Sequence, residues 1–154
     1  MSRVQLALNV SDLDEAISFY STLFKTTPAK VRPGYANFAI DEPPLKLVLI
    51  EGAGQPGSIN HLGVEVFSTE AVAEATTYLA GAGLITEIED QTTCCYAVQD
   101  KVWVNGPDGT KWETYVVLGD ASGPEGLGGD DQCCTSGSTE PLSIGGSASS
   151  SSCC

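Results

Sequence analysis

The chain is poor in basic side chains. Its 154 residues include 7 Lys and Arg against 20 Asp and Glu, which gives a formal net charge of -13. This surplus of negative charge repels phosphate backbones and anionic lipid surfaces, so we expect no nucleic-acid or membrane partner. The sequence also lacks a long apolar run and the basic, apolar and cleavage regions of a signal peptide. We therefore expect a soluble, cytoplasmic protein.

Histidine is equally scarce, because His61 is the only one in the chain. Histidine is the most common general acid or base and a frequent metal ligand. A metal site here must therefore take its other ligands from other residue types. If His61 is a ligand, no second histidine is left to carry a proton.

All six cysteines occur as adjacent pairs, namely Cys94-Cys95, Cys133-Cys134 and Cys153-Cys154. Consecutive Cα atoms are about 3.8 Å apart, less than the roughly 4.4 to 6.8 Å that a relaxed disulfide spans. Each pair is therefore better interpreted as two thiols, which suits a reducing cytoplasm. Two neighbouring thiolates can bind one soft centre, such as zinc, cadmium, copper(I) or trivalent arsenic.

Alternating and helical patterns predict an α+β fold in which two halves of the chain repeat one order of elements, a strand, a helix and then further strands. The segment 11–15 supplies a cap and first-turn acids for the first helix, and Ser68 or Thr69 caps the second. In the first half, strands are predicted at 4–10, 35–40 and 45–50. In the second half they are predicted at 60–67, 84–89, 96–104 and 112–118, with Cys94 and Cys95 in a Thr-rich connection.

Composition divides the chain into a domain at 1–118 and a tail at 119–154. Within the domain, residues 3–51 form one predicted module and residues 59–118 the other. The tail is rich in Gly, Ser and Asp and has few large apolar residues, so it cannot bury enough surface to offset the entropy of ordering. We predict a disordered tail, whose Cys133, Cys134, Cys153 and Cys154 either capture a soft ion or are incidental thiols.

Superposing the two predicted halves brings four equivalent strand positions together. Gln5 is then equivalent to His61, and Val48 to Glu113. Side chains at alternate strand positions share one face of a sheet, so all four are expected to project into one cavity. An amide, an imidazole and a carboxylate can hold a metal while leaving positions open for water, oxygen or a substrate.

The paired modules, the positions of Gln5 and His61, and the turn 106–109 that leads to Glu113 resemble the vicinal oxygen chelate superfamily. This superfamily includes glyoxalases, fosfomycin resistance enzymes and extradiol dioxygenases. The resemblance extends over about residues 3–118. It implies two βαβββ modules around a shared metal cavity.

Four segments, at 33–40, 44–49, 60–66 and 92–104, more narrowly resemble the ArsI carbon–arsenic lyases and cadmium-induced proteins of that superfamily. The resemblance implies a non-haem enzyme that uses Fe(II) and dioxygen to cleave the carbon–arsenic bond of trivalent organoarsenicals. The substrates would be methylarsenite and trivalent aromatic arsenicals, the product would be arsenite, and the outcome would be organoarsenical resistance. A monomer or a homodimer is expected.

Matched residue by residue, the resemblance implies that Gln5, His61 and Glu113 are the iron ligands and that Cys94 and Cys95 bind the arsenic. Extradiol dioxygenases differ because they use two histidine ligands. Tyr115 lies two residues after Glu113 on the same strand face, and Lys101 lies near the cysteine pair. These two residues are the candidate catalytic groups for proton transfer.

Two other interpretations remain open. A non-catalytic resistance protein that binds cadmium, zinc or arsenite would need only the thiol pairs. A glyoxalase-like isomerase or thiol transferase would fit the fold but would leave the cysteine pairs without a role. Each candidate site residue also has a structural interpretation, such as a buried histidine, a hydrogen-bonded amide or a solvated carboxylate.

Overall fold

The computed structural model describes residues 2–84, 86–94 and 96–121. They form eight strands and two helices. In chain order these are β1 (Arg3–Val10), α1 (Leu13–Phe24), β2 (Lys30–Arg32), β3 (Tyr35–Ile40), β4 (Leu45–Glu51), β5 (Ile59–Glu65), α2 (Thr69–Gly81), β6 (Thr86–Cys94), β7 (Ala97–Asn105) and β8 (Lys111–Asp120).

The strands form one mixed, curled sheet in the order β2-β3-β4-β1-β5-β8-β7-β6. Strands β1 and β5 are antiparallel neighbours at its centre. Each of them has a parallel neighbour on its other side, β4 beside β1 and β8 beside β5. The order on one side of the centre therefore mirrors the order on the other, and residues distant in sequence meet along the central strands.

Both helices begin where the sequence predicts a cap. The side chain of Asp12 accepts a hydrogen bond from the backbone N–H of Glu15 at 2.8 Å, and that of Ser68 accepts from Ala71 at 3.2 Å. These bonds satisfy backbone donors that have no partner within the first turn of a helix. The two capping residues are 56 positions apart in the sequence.

The same offset of 56 relates the central strands. It superposes Leu6 on Leu62, and the parallel partners of these residues are Leu47 in β4 and Trp112 in β8. One residue further along these partner strands, Val48 matches Glu113. The register of the sheet thus agrees with the superposition made from the sequence.

The two helices cover the same face of the sheet but with different amounts of apolar surface. Helix α1 packs on a core that includes Phe38, Leu47 and Leu49. Helix α2 packs on a smaller cluster built around Val102 and Val116. Because side chains alternate along a strand, the opposite face carries Gln5, His61 and Glu113.

Several elements differ from the sequence prediction, and β5 ends at Glu65, two residues before its predicted end. The short strand β2 was not predicted, because three residues are too few to show alternation. Strand β6 continues past Glu89 through an irregularity in its pairing with β7 and ends at Cys94. The prediction that Cys94 lies in a connection was therefore wrong. Strand β8 continues to Asp120, two residues beyond its predicted end.

The predicted tail lies outside the described residues from position 122 onward, and Cys95 lies outside them too. Within the described ranges, neither helix is long and apolar enough to cross a membrane.

Candidate metal centre

Three polar side chains from three neighbouring strands meet on the face of the sheet opposite the helices. Gln5 projects from β1, His61 from β5 and Glu113 from β8, and each is about 4% exposed. The amide nitrogen of Gln5 lies 3.0 Å from His61 Nε2 and donates to Glu113 Oε1 at 2.6 Å. His61 Nε2 and Glu113 Oε1 are 3.4 Å apart. The structure thus brings together the three residues that the sequence analysis singled out.

Gly63 makes this meeting possible. It pairs with Gln5 on one side and with Glu113 on the other. A Cβ at this position would lie 2.9 Å from Glu113 Cγ and 3.4 Å from Gln5 Cβ, so any side chain would displace a candidate ligand. A glycine inside an alternating strand often marks such a close approach, and the sequence carried this signal before the structure explained it.

Glu113 is ionised despite its burial. Burial opposes its charge and is the largest single influence, but the neighbouring His61, Lys101 and Gln5 together hold the pKa of Glu113 below its ordinary value. Lys101 Nζ lies 3.5 Å from Glu113 Oε2 and 3.8 Å from Glu89 Oε2, and the lysine is 1% exposed. The site therefore contains a buried carboxylate whose charge is balanced by a buried lysine.

Tyr115 lies beneath the same cluster, and its hydroxyl donates a hydrogen bond to Gln5 Oε1. Burial and the nearby carboxylates of Glu65 and Glu113 raise the pKa of Tyr115 far above its ordinary value. The phenol therefore stays protonated and acts as a donor. Of the two predicted proton carriers, Tyr115 thus contacts one candidate ligand and Lys101 forms an ion pair with another.

The residues fit a divalent metal by the chemistry of their donors. An imidazole nitrogen, a carboxylate and an amide oxygen are ligands of non-haem iron and related ions. In the described part of the chain, no cluster of three His, Cys, Asp or Glu side chains is placed to hold a metal, so the amide of Gln5 is required as the third ligand. Its Oε1 turns toward the centre when the amide rotates by half a turn, which exchanges the positions of Oε1 and Nε2.

The fourth equivalent position is apolar. Val48 is 4% exposed and belongs to a cluster with Ala7, Tyr35 and Ile50, against which Tyr96 packs. The rings of Tyr35 and Tyr96 are 6.1 Å apart. An apolar position beside three polar ones leaves the side next to Val48 without a protein ligand.

The end of β6 and Tyr96, which precedes β7, lie on the same side of the site. The backbone of Cys94 pairs with Ala97, and the carbonyl of Tyr96 accepts a hydrogen bond from Lys30 Nζ at 3.2 Å. The chain next to the predicted cysteine pair is therefore held against the first half of the sheet. Cys95 itself lies outside the described residues.

Two further clefts lie on the surface near α1, and their linings exclude all three candidate ligands. One has a volume of about 350 Å³ and includes Asn9 and Phe19 in its lining. The other has a volume of about 480 Å³ and includes Arg32 and Glu51. The converging side chains at the centre of the sheet, and not these two surface clefts, therefore define the candidate site.

Several residues at the site were not singled out as functional by the sequence analysis. Trp103 places its ring 5.5 Å from the His61 ring, with the planes at 76°. Asn60 Oδ1 lies 2.7 Å from His61 Nδ1. Lys46 donates to Glu65 Oε1 at 2.9 Å and lies over the Tyr115 ring. Only the alternation of charged residues within apolar strands could have indicated these roles.

Comparison with known proteins identifies the family of the chain. The model of the Glyoxalase/Bleomycin resistance protein/Dioxygenase superfamily matches residues 3–114. A trivalent organoarsenical cleaving enzyme of Thermomonospora curvata is 62% identical over 88% of this chain and 89% of its own length. The cadmium-induced protein CadI of Mycobacterium tuberculosis is 62% identical over 80% of this chain and 84% of its own.

A solved structure shows the same fold at low sequence identity. The 2,3-dioxygenase LapB of Pseudomonas sp. KL28 superposes with a TM-score of 0.57 at 20% identity. The match covers 75% of this chain and 40% of that chain. At this identity the likeness concerns the fold alone.

Proposed function

The chain belongs to the Glyoxalase/Bleomycin resistance protein/Dioxygenase superfamily, and from this premise we propose that it is an enzyme that cleaves the carbon–arsenic bond of trivalent organoarsenicals. The observation that carries the proposal is the meeting of Gln5, His61 and Glu113 beside the apolar position of Val48. The relatives named as organoarsenical cleaving enzymes support the substrate class.

We propose that Gln5, His61 and Glu113 hold Fe(II), which when bound supplies the activation of dioxygen. Three protein ligands leave coordination positions open, as a catalytic metal site requires. The protein contributes a buried carboxylate whose negative charge offsets that of the cation, and Lys101 moderates this charge from the other carboxylate oxygen. Tyr115 contacts the Gln5 amide from the opposite side, and its oxygen would accept a hydrogen bond from Nε2 once the amide has rotated.

We further propose that Cys94 and Cys95 bind the arsenic as a dithiolate. A trivalent methylarsenic or arylarsenic centre has two exchangeable positions beside its carbon, so two adjacent thiolates can chelate it. Tyr96, directly before β7, packs against Tyr35 on the side of the site next to Val48. Holding the carbon–arsenic bond there makes the reaction effectively intramolecular, an effect worth up to roughly 7 to 11 kcal/mol in well-aligned systems.

The proposal assigns limited roles to the two candidate proton carriers. Tyr115 stays protonated because burial and nearby carboxylates raise its pKa, so it can donate a hydrogen bond but neither gives up its proton readily nor acts as a base. Lys101 is buried between Glu89 and Glu113 and can donate to either carboxylate. These two residues are proposed to orient the ligands, and Lys101 is the candidate proton carrier of the site.

The proposed organisation follows from the mirrored sheet. We propose that residues 3–51 and 59–118 are two βαβββ modules, joined edge to edge through β1 and β5 around the shared cavity, and that residues 119–154 are a separate appendage. We also propose a cytoplasmic location, because the thiol chemistry depends on a reducing compartment.

One alternative is favoured by a specific observation. Relatives that are 62% identical are named cadmium-induced proteins, which is compatible with a non-catalytic protein that binds cadmium or arsenite through its thiols. Such a protein would not need the three converging ligands. The two functions therefore differ in whether His61 and Glu113 are required.

The test is arsenic speciation after the anaerobically Fe(II)-loaded protein is incubated with trivalent methylarsenic, with and without dioxygen. We expect arsenite to form only when both iron and dioxygen are present. Cys94→Ala and Cys95→Ala should abolish this product while Fe(II) binding persists, since the thiols act on the substrate and not on the metal. Methylarsenic that remains intact but bound to the wild-type chain would favour the thiol-binding alternative.

A further inference from the structure

A chain of hydrogen-bonded polar groups extends from His61 away from the candidate metal centre. We call it the amide relay, and it consists of Asn60, Asn9 and Ser58 together with the backbone carbonyl of Gln55. Asn60 Oδ1 lies 2.7 Å from His61 Nδ1, and Asn60 Nδ2 donates to Asn9 Oδ1 at 3.0 Å. Asn9 Nδ2 donates to Ser58 Oγ at 2.8 Å, and Ser58 Oγ donates to the Gln55 carbonyl at 2.6 Å.

The relay has a direction because its last member is a backbone carbonyl, which can only accept. The Ser58 hydroxyl must therefore donate its single proton to that carbonyl. Its oxygen is then left to accept a hydrogen bond from Asn9. The atom of Asn9 facing Ser58 is consequently the NH₂ group, which leaves Oδ1 facing Asn60.

The same reasoning continues through the second amide. Asn60 must present its NH₂ group to Asn9 Oδ1, so its own Oδ1 faces His61. An amide oxygen can only accept, and His61 Nδ1 must therefore carry a proton. In a neutral imidazole the other nitrogen, Nε2, is then unprotonated and presents its lone pair toward Gln5 and Glu113.

The relay is held in place by the backbone around it. The N–H of Asn9 donates to the Ser58 carbonyl at 3.0 Å, and the N–H of Gly57 donates to the Asn9 carbonyl at 2.8 Å. Asn9 is 4% exposed. A Cβ on Gly54 would lie 2.7 Å from Asn9 Nδ2, so the linker backbone packs directly on this amide. The Gly-rich linker between β4 and β5 therefore serves to fix a side-chain orientation.

Without the relay, the proton of a neutral His61 ring could lie on Nε2 instead of Nδ1. Glu113 Oε1 lies 3.4 Å from His61 Nε2 and could accept a hydrogen bond from that nitrogen if it carried the proton. A proton on Nε2 would block the lone pair that a metal needs. The choice between the two tautomers therefore decides whether His61 can act as a ligand without first losing a proton.

We propose that the amide relay fixes His61 as the Nδ1-protonated tautomer, which makes Asn60 and Asn9 positioning residues for the metal centre. The inference rests on the proposed role of His61 as a metal ligand. It goes further, because it assigns the selection of the ligating nitrogen to the linker carbonyl of Gln55, three hydrogen bonds beyond the residue that contacts the imidazole.

The test uses the fact that His61 is the only histidine among 154 residues. The metal-free, ¹⁵N-labelled full chain is kept reduced, and the pH is raised until the ring-nitrogen shifts of His61 no longer change, so that the neutral imidazole is observed. Two-bond ¹H–¹⁵N correlation spectra then show a single pair of ring nitrogens. We expect a protonated Nδ1 and an unprotonated Nε2 in the wild-type chain, and a proton on Nε2 would overturn the proposal.

Matched variants of Asn60 test whether the relay is the cause. Asn60→Leu removes the acceptor, and we expect the proton to move to Nε2 in most molecules. Asn60→Asp keeps an oxygen facing Nδ1, and we expect the wild-type pattern. A folded Asn60→Leu protein that keeps the proton on Nδ1 would refute the role of the relay, and the wild-type spectrum remains decisive if this variant does not fold.

Metal affinity supplies a second measurement that does not depend on turnover. Mn²⁺ is a suitable probe because it prefers oxygen and nitrogen ligands to the thiolates of the cysteine pairs. We expect Asn60→Leu to weaken Mn²⁺ binding by about 10- to 100-fold, the usual effect of removing a partner that orients a metal-binding histidine. Unchanged Mn²⁺ affinity in Asn60→Leu would contradict the inference.

The two proposals can fail separately. If the tautomer responds as expected but no arsenite forms from methylarsenic, the relay stands and the proposed function fails. If arsenite forms but Asn60→Leu leaves the tautomer unchanged, the proposed function stands and the relay fails.

Discussion

The two halves of the sheet share one topology but differ in what they bury. On the helix-covered face, the first half packs five residues of α1 onto a broad apolar core, whereas α2 in the second half contributes Val72 and Leu79 to a smaller cluster. On the opposite face, the first half carries Val48 where the second half carries Glu113, beside the buried Lys101.

This difference indicates a division of roles within a repeated architecture. The first half supplies most of the apolar packing and one candidate ligand, Gln5. The second half supplies His61 and Glu113 and the charged residues around them, although burying charge is costly unless it is paired. A repeated fold can thus place stability in one half and chemistry in the other.

The largest expected effect comes from removing the charge that distinguishes the second half. Glu113→Gln replaces the carboxylate by a neutral amide of the same shape, and Lys101 retains Glu89 as a partner. Loss of a residue that only hydrogen-bonds a metal ligand can weaken metal binding by roughly 100-fold. We expect Glu113→Gln to weaken it by more than this, because a candidate ligand itself is changed. Anaerobic Fe(II) titration measures this.

The matched control for that substitution is the equivalent position in the first half. Val48→Ala should leave Fe(II) affinity within a few-fold of the wild-type value, because a valine contributes no ligand. If Glu113→Gln bound Fe(II) as tightly as Val48→Ala does, the proposed division between the halves would be wrong.

A second, smaller effect is expected at the small residues that flank the ligands. Gly63 and Ala7 are equivalent under the offset of 56. Ala7 already carries a Cβ, whereas a Cβ added at Gly63 would lie 2.9 Å from Glu113 Cγ. A misplacement of about 1 Å in a catalytic group can cost about 100-fold in rate. We expect Gly63→Ala to lower metal affinity by between about tenfold and a hundredfold, measured by the same titration.

The reverse change in the first half, Ala7→Gly, should act differently. It adds backbone freedom to the unfolded chain, so we expect a loss of roughly 0.5 to 1 kcal/mol in unfolding free energy. Metal affinity should not change. Equal losses of affinity in the two variants would show that the halves are equivalent around the site after all.

The smallest predicted difference is in how often the two helices unfold locally. Because α1 buries more apolar side chains than α2, its backbone amides should open less often. One additional buried aliphatic or aromatic side chain is worth about 1.5 to 3 kcal/mol, so we expect protection factors in α1 to exceed those in α2 by about tenfold or more. Native-state hydrogen exchange of the metal-free chain measures this, and equal protection in the two helices would contradict the comparison.

Much of the fold could be predicted from local patterns. The strand Tyr35–Ile40 was predicted with its observed bounds, and the caps at Asp12 and Ser68 begin the two helices as expected. Strand β6 was harder, because its pairing with β7 is irregular after Glu89 and no simple alternation marks its end. Strand β2 is too short for its sequence to show a period.

The candidate site was predictable only as a set of residues. Superposing the halves placed Gln5, His61 and Glu113 at equivalent positions, and the structure brings their side chains within hydrogen-bonding distance or close to it. The part played by Asn9 could not be seen in the sequence, since its partners lie 49 and 51 residues away.

The sequence by itself determined the types of element, their repetition with a constant offset, the adjacent thiols and the scarcity of histidine, because these properties depend on local period and composition. Only the tertiary structure decided which nitrogen of His61 faces the candidate ligands and why residue 63 must be glycine. The physical reason is that these features arise from the pairing of β1 with β5 and of β5 with β8. Such pairings set distances between side chains that no local pattern along the chain encodes.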